Sequence, residues 1–141
     1  MRRACAAVAA AACALPAAGC GSSSGDLLAI AVSGGPGNAR ERIRVTDDGR
    51  ASCGGALRQL QSQQLLDARE IKRKLKPYAK SGESFRSARA GARQYLARSV
   101  DGSVSWTEGA PGPAALGAAT LFALRLEREL CRGGGSGTTY G

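Results

Sequence analysis

The spacing of apolar residues changes at Gly54-Gly55, and this change limits the folds that the chain can adopt. Before it, residues 27 to 33 and 40 to 46 place apolar side chains at alternate positions, which predicts two strands. After it, apolar residues recur at three- and four-residue steps from Leu57 to Ala79, which predicts one helix, or a short turn followed by a helix. The chain therefore needs a fold that combines sheet and helix.

Two hairpins are predicted from turn residues. Residues 47 to 49 (Asp-Asp-Gly) suit a three-residue turn with Gly49 at positive φ, which pairs Val45 with Ala51 and Ile43 with Cys53. Asp101-Gly102 marks the second hairpin. With these two residues as the turn, Ala97 faces Trp106 and Ser99 faces Val104. The predicted apolar face holds Tyr95, Ala97, Val104 and Trp106, and we interpret Trp106 as a core residue.

The helix boundaries have their own signals. Ser62 is a candidate N-cap of the first helix, and Pro77 is expected near its end. Pro113 suits the first turn of a last helix over residues 114 to 131, whose first part is apolar on nearly every side. The resulting order is β-β-β-α-β-β-α. We predict an α+β fold, an antiparallel sheet of about five strands with two main helices packed on one face.

The N-terminal residues predict export. Arg2 and Arg3 precede an unbroken apolar run over residues 4 to 15, which has the length of a signal-peptide core and is too short to span a bilayer. We expect residues 1–19 to be a signal peptide.

Residues 17 to 20 (Ala-Ala-Gly-Cys) resemble the lipobox of bacterial lipoproteins, and the Ala- and Arg-rich chain with this motif resembles uncharacterised lipoproteins of high-GC Gram-positive bacteria. The resemblance implies that Cys20 is acylated and that the mature protein is extracytoplasmic and anchored to the cell membrane by its lipid. The alternative is ordinary cleavage near Ala18, which leaves a free secreted protein. The expected organisation is a lipidated Cys and flexible tether over 20–26, a single α+β domain over 27–131, and a disordered Gly-rich tail over 132–141.

Cysteine usage agrees with this compartment. Cys5 and Cys13 lie in the leader and Cys20 in the lipobox, so Cys53 and Cys131 remain. Two cysteines in an exported domain favour a disulfide, and without a CxxC spacing we expect its role to be structural.

Composition argues against catalysis. The chain has no His, so its own residues supply no imidazole for acid–base work and no His ligand for a metal. Gly34 to Gly37 (Gly-Gly-Pro-Gly) follows a strand, but no GK[ST] or GxGxxG follows it, so we interpret it as a turn rather than a phosphate loop. Glu108 is the one acid that we would test for catalysis. We predict a protein that is not an enzyme and that needs no metal or cofactor.

Two loops rich in Gly and Pro are the candidate binding surface for an unknown protein partner, because such residues hold an extended shape at low entropic cost. They lie at residues 34 to 39 and 108 to 113. The candidate binding residues are Gly34, Gly35, Pro36, Gly37, Asn38, Glu108 and Pro111.

The layout of the domain resembles the emfourin family of small inhibitors of thermolysin-like metalloproteases. The shared features are Gly34-Gly35 after the first strand, a Leu-spaced helix, Tyr95 before the Asp101-Gly102 hairpin, and a Pro before an apolar last helix. The resemblance implies inhibition of a secreted protease and gives no single residue a role.

Basic residues offer a second hypothesis. Without Arg2 and Arg3 the net charge falls from +9 to +7. A patch on the first helix favours binding to anionic envelope lipid or polymer, while its plainer interpretation is a solvated helix face. Export and the lack of interleaved aromatic residues argue against nucleic acid. The candidate basic patch is Arg69, Lys72, Arg73, Lys76 and Lys80.

Overall fold

The computed structural model of the chain describes residues 25–132. The predicted signal peptide, Cys20 and most of the predicted tail lie outside these residues. The described part holds seven strands and two helices, and the second helix continues into a π-helical turn. The bounds are β1 Asp26–Gly34, β2 Ala39–Thr46, β3 Arg50–Cys53, β4 Arg58–Gln59, α1 Ser62–Ser81, β5 Ser84–Phe85, β6 Arg93–Ser99, β7 Gly102–Thr107, α2 Ala114–Leu126 and the π-helical turn Glu127–Cys131.

All strands belong to one sheet with the order β4-β3-β2-β1-β6-β7-β5. The predicted α+β fold is confirmed, but the strand count of about five and the fully antiparallel sheet are wrong. The two additional strands, β4 and β5, have two residues each and lie at the sheet edges. β5 pairs parallel with β7. A two-residue segment has no apolar period of its own, because its neighbour in the sheet decides its conformation.

The first predicted hairpin register is confirmed: Ile43 lies opposite Cys53 and Val45 opposite Ala51. The second is wrong, since Ala97 lies opposite Val104 and Tyr95 opposite Trp106. The turn residues are Val100 and Asp101. Moving the turn by one residue shifts every partner by two, and the strand period of two keeps the same side chains on the core face.

Gly102 explains the position of this turn. A Cβ on Gly102 would lie 2.3 Å from the carbonyl oxygen of Ala79, and its φ is +131°. The close approach of the hairpin to the last turn of α1 therefore requires glycine as the first residue of β7.

The N-cap of α1 differs from the prediction, whereas Pro77 lies near the end of the helix, as expected. Gln61, and not Ser62, is the N-cap, and its backbone N–H donates to Oε1 of Gln64 at 2.9 Å. Pro77 lies inside the helix, at an exposed position, and α1 continues to Ser81. The helix ends at Gly82, which adopts the left-handed conformation typical of a C-cap.

Both helices cover the same face of the sheet and cross it in opposite directions. α1 starts near the β2–β3 turn, where Leu65 approaches Gly49, and ends beside β7. α2 starts beside β7 and returns to β3, where the π-helical turn is bonded to the strand by the Cys53–Cys131 disulfide. The predicted disulfide is thus present, with its Cα atoms 5.2 Å apart. The core lies between the helices and the sheet, around side chains such as Ile30, Val45, Val104 and Phe122.

Candidate functional site

Both predicted binding loops lie at one end of the sheet. Gly34 of β1 pairs with Arg93 of β6, and Gln94 pairs with Thr107 of β7, so these three strand ends coincide. The backbone N–H of Glu108 donates to the carbonyl of Arg93 at 2.8 Å. We call this region the loop end, formed by residues 35–38, 86–92 and 108–112.

The loop over residues 35–38 has a defined backbone. The N–H of Asn38 donates to the carbonyl of Gly35 at 3.0 Å and closes the turn. A Cβ on Gly35 would lie 2.4 Å from Cγ of Arg93, so glycine lets the arginine pass beneath the loop. Pro36, Gly37 and Asn38 are exposed, and this leaves the tip of the loop available to a partner.

A buried ion pair supports the loop end from below. Nη1 of Arg93 lies 2.7 Å from Oε2 of Glu127, whose residue is only 2 % exposed. Arg132 adds a second contact, 3.1 Å from Oε1. The hydrogen bond to Glu127 raises the pKa of Arg93 above its ordinary value, so the guanidinium stays positively charged. Sequence reasoning missed Glu127, although it continues the four-residue stripe of Ala115, Ala119 and Ala123 on the buried side of α2.

Tyr95 and Trp106 form the aromatic base of this region. Their rings stack with centroids 5.3 Å apart, and the indole Nε1–H of Trp106 donates to Oγ1 of Thr120 at 2.9 Å. Both residues are buried, which confirms Trp106 as a core residue. The Tyr95 hydroxyl has no hydrogen-bond partner among the described residues. Its burial, together with the nearby carboxylate of Glu108, raises the pKa of Tyr95.

The loop over residues 108–112 borders an apolar depression. A cavity of about 270 Å³ opens beside Gly109 and Ala110 and reaches Leu116 and Leu121 of α2. Leu121 is 66 % exposed, and Pro111 is also exposed. Glu108 is half-buried, and its chain neighbours Thr107 and Gly109 line this cavity. The loop end therefore combines two fixed loops with an apolar depression large enough for a side chain.

Most of the predicted basic patch comes together at the opposite end of the sheet. Arg69, Lys72, Arg73 and Lys76 line one cavity of about 430 Å³. Lys80 is exposed but lies one turn further along α1, outside this cavity. The sheet adds Arg42 and Arg98 nearby, which share a second cavity with Lys72. Each follows or precedes a core residue of its strand, Ile43 or Ala97, so both project from the face of the sheet opposite the helices, and Lys72 is the residue of α1 that reaches the same cavity.

The described residues bring three side chains of metal-ligand type together at one place, Glu41, Cys53 and Cys131. Oε2 of Glu41 lies 3.8 Å from Sγ of Cys53. Both sulfurs belong to the disulfide, so neither is a thiolate that could bind a metal or act as a nucleophile.

Within residues 25–132, neither helix combines the length and the apolar character needed to cross a bilayer. Comparisons with models of protein families, with curated proteins and with solved structures find no match to this chain.

Proposed function

We propose that the chain is a membrane-tethered, extracytoplasmic domain without enzymatic activity, which binds a protein partner through its loop end. The observation that carries the proposal is the placement of both loops around Arg93. Arg93 pairs with Gly34 in the sheet, and its backbone carbonyl accepts a hydrogen bond from the N–H of Glu108. Loops fixed in this way lose little conformational entropy on binding. The neighbouring depression and exposed Leu121 add apolar contact area.

A partner is best sought by crosslinking in living cells. A photoreactive residue replaces Asn38 in one variant and Pro111 in another, both exposed positions of the loop end. The matched control replaces Arg58, which is exposed on the edge strand β4. We expect one protein to be captured at both loop positions and not at Arg58. The same adducts at Arg58, or none at either loop, would contradict the proposal.

The form of the proposal that we favour is inhibition of a secreted protease, as the emfourin resemblance implies. Purified protein that begins at residue 21 retains every described residue and is tested at micromolar concentration against secreted metallo- and serine proteases. We expect inhibition of one class, weakened by Leu121→Glu in the apolar depression. If every protease keeps its activity, the inhibitor form is withdrawn, while the crosslinking experiment still decides whether the loop end binds a protein.

The tether has a separate test. Mass spectrometry of membrane fractions is expected to show a chain that begins at Cys20 and carries an acylated thiol. A Cys20→Ser variant should leave the membrane fraction. Recovery of an unmodified chain cleaved near Ala18 would establish a free secreted protein instead.

A further inference from the structure

Two adjoining cavities lie where β1 begins. The first, of about 430 Å³, lies along α1 and includes Leu27. The second, of about 480 Å³, lies over the start of β1 and includes Arg42 and Arg98. Lys72 and Val100 line both cavities, so the two form one continuous surface.

This surface carries an excess of positive charge. Six cations line the two cavities, against the three carboxylates Asp26, Asp47 and Asp101. Asp26 pairs with Arg44, which lines neither cavity, and Asp101 lies 3.6 Å from Lys76. Every Asp and Glu of the sequence lies within the described residues. Of the six lining cations, Arg73 and Lys76 have ion pairs, and the four without an ion pair to a described residue are Arg42, Arg69, Lys72 and Arg98.

An exposed apolar side chain stands among these cations. Val100, in the β6–β7 turn, is 84 % exposed, the highest exposure of any large hydrophobic residue described. An apolar tip surrounded by Lys and Arg fits the boundary between lipid headgroups and acyl chains, where the cations meet phosphate and the apolar group enters the hydrocarbon edge.

The position of the surface along the chain indicates its occupant. Only five residues separate Cys20 from Asp26, where β1 begins. Even fully extended, this segment holds Asp26, at the near edge of the surface, within about 20 Å of an acylated Cys20. β1 runs away from that point to the loop end, about 27 Å further out for its nine residues.

We propose that Arg42, Arg69, Lys72, Arg98 and Val100 form a docking surface for the anionic phospholipid headgroups of the membrane that carries the tether. This inference rests on the proposed tethered function. Docking would orient the domain on the membrane, with the loop end turned away from the bilayer.

Vesicle sedimentation tests the surface directly. A chain that begins at residue 21 lacks Cys20, so its binding cannot come from acylation. We expect it to bind vesicles that contain phosphatidylglycerol and not vesicles of pure phosphatidylcholine. Binding should fall steeply between about 0.05 M and 0.5 M salt, because exposed charges are screened. The double variant Lys72→Glu/Arg98→Glu should weaken the partition coefficient at least about 20-fold, and Val100→Ser should weaken it by a smaller factor.

The matched control is Arg86→Glu/Arg89→Glu, which changes the net charge equally at exposed positions of the loop end. Its partition coefficient should stay within about twofold, since these residues lie further from the docking surface than a Debye length of about 10 Å. An equal loss in both double variants would show a net-charge effect and overturn the docking surface.

Two further outcomes also overturn the inference. Equal binding to both vesicle types would remove the requirement for anionic lipid. Binding to soluble poly(glycerol phosphate) without vesicle binding would assign the surface to a wall polymer. Neither result affects acylation of Cys20 or capture at Asn38 and Pro111, so failure of the docking surface and failure of the proposed function are separable.

Discussion

Glu127 occupies a position where the helix pattern calls for an apolar side chain. Its carboxylate is buried and accepts hydrogen bonds from Arg93 and Arg132. A buried ion pair costs desolvation of both charges, and removal of only one partner leaves the other charge uncompensated. The pair therefore joins the π-helical turn to the start of β6, and the backbone of the loop end depends on it.

Replacement of Arg93 tests this dependence. We expect Arg93→Met to lower the free energy of unfolding by about 3 to 5 kcal/mol, because it leaves the Glu127 carboxylate buried with only the exposed Arg132 as a partner. Arg93→Met/Glu127→Leu should recover most of the loss. Urea unfolding measures both values. A double variant as unstable as the single one would show that the arginine stem, and not the charge, holds the loop end.

The hydroxyl of Tyr95 gives a second prediction at a single residue. Because it is buried without a hydrogen-bond partner among the described residues, Tyr95→Phe should leave stability at neutral pH unchanged or raise it by about 1 kcal/mol. The folded pKa is raised, so the unfolded chain loses its phenolic proton first as the pH increases. The protein should therefore lose stability relative to Tyr95→Phe above pH of about 10. Urea unfolding across that pH range measures the free energy of unfolding of both proteins. A difference between them that does not change with pH would contradict the prediction.

At the scale of elements, the contact between α1 and the β6–β7 hairpin sets the hairpin register. Its tightest point is Gly102 against the carbonyl of Ala79. A side chain there would push the helix end from the sheet, because the opposing atoms are backbone.

Gly102→Ala should accordingly lower the free energy of unfolding by about 2 to 4 kcal/mol. The matched control is Gly91→Ala, which shares a positive φ but has no atom within 4 Å of its added Cβ. This control should lose only about 1 kcal/mol. Thermal unfolding of the two variants gives the difference, and equal losses would mean that backbone conformation alone requires Gly102.

The elements show why part of the fold is predictable. β1, β2, β6 and β7 carry apolar residues at alternate positions and β3 follows from the turn at residues 47 to 49, so the existence and inward faces of these strands follow from the sequence. β4 and β5 gain their conformation from β3 and β7, which no local pattern records. The exact β6–β7 turn likewise depends on Ala79, a residue distant in sequence.

The candidate site is predictable to a similar extent. The two loops and the α1 patch are predictable from local composition, because the residues of each lie close together in the sequence. Glu127, Arg42 and Arg98 join these sites only through tertiary packing. The position of Glu127 depends on how α2 crosses the sheet, and the positions of Arg42 and Arg98 depend on the strand order. The sequence alone records neither.

At the scale of the whole molecule, the Cys53–Cys131 disulfide links the β3 side of the sheet to the end of the last helix, across 78 residues of sequence. In the chain-entropy treatment, a loop of this size stabilises the fold by about 4 kcal/mol. We expect Cys53→Ser/Cys131→Ser to lower the melting temperature by several degrees or more, and a reductant to have the same effect on the parent protein but none on the variant. An unchanged melting temperature under full reduction would contradict this prediction.

The same bond divides the molecule into a closed covalent ring, residues 53 to 131, and an open N-terminal arm. Loop 108–112 belongs to the ring, whereas loop 35–38 belongs to the arm. A protease that cuts loop 108–112 would leave one covalent piece, which separates into two fragments only on a reducing gel. A nick in loop 35–38 would break every covalent link between Cys20 and the ring, and only strand pairing and core packing of β1 would then hold the two pieces together.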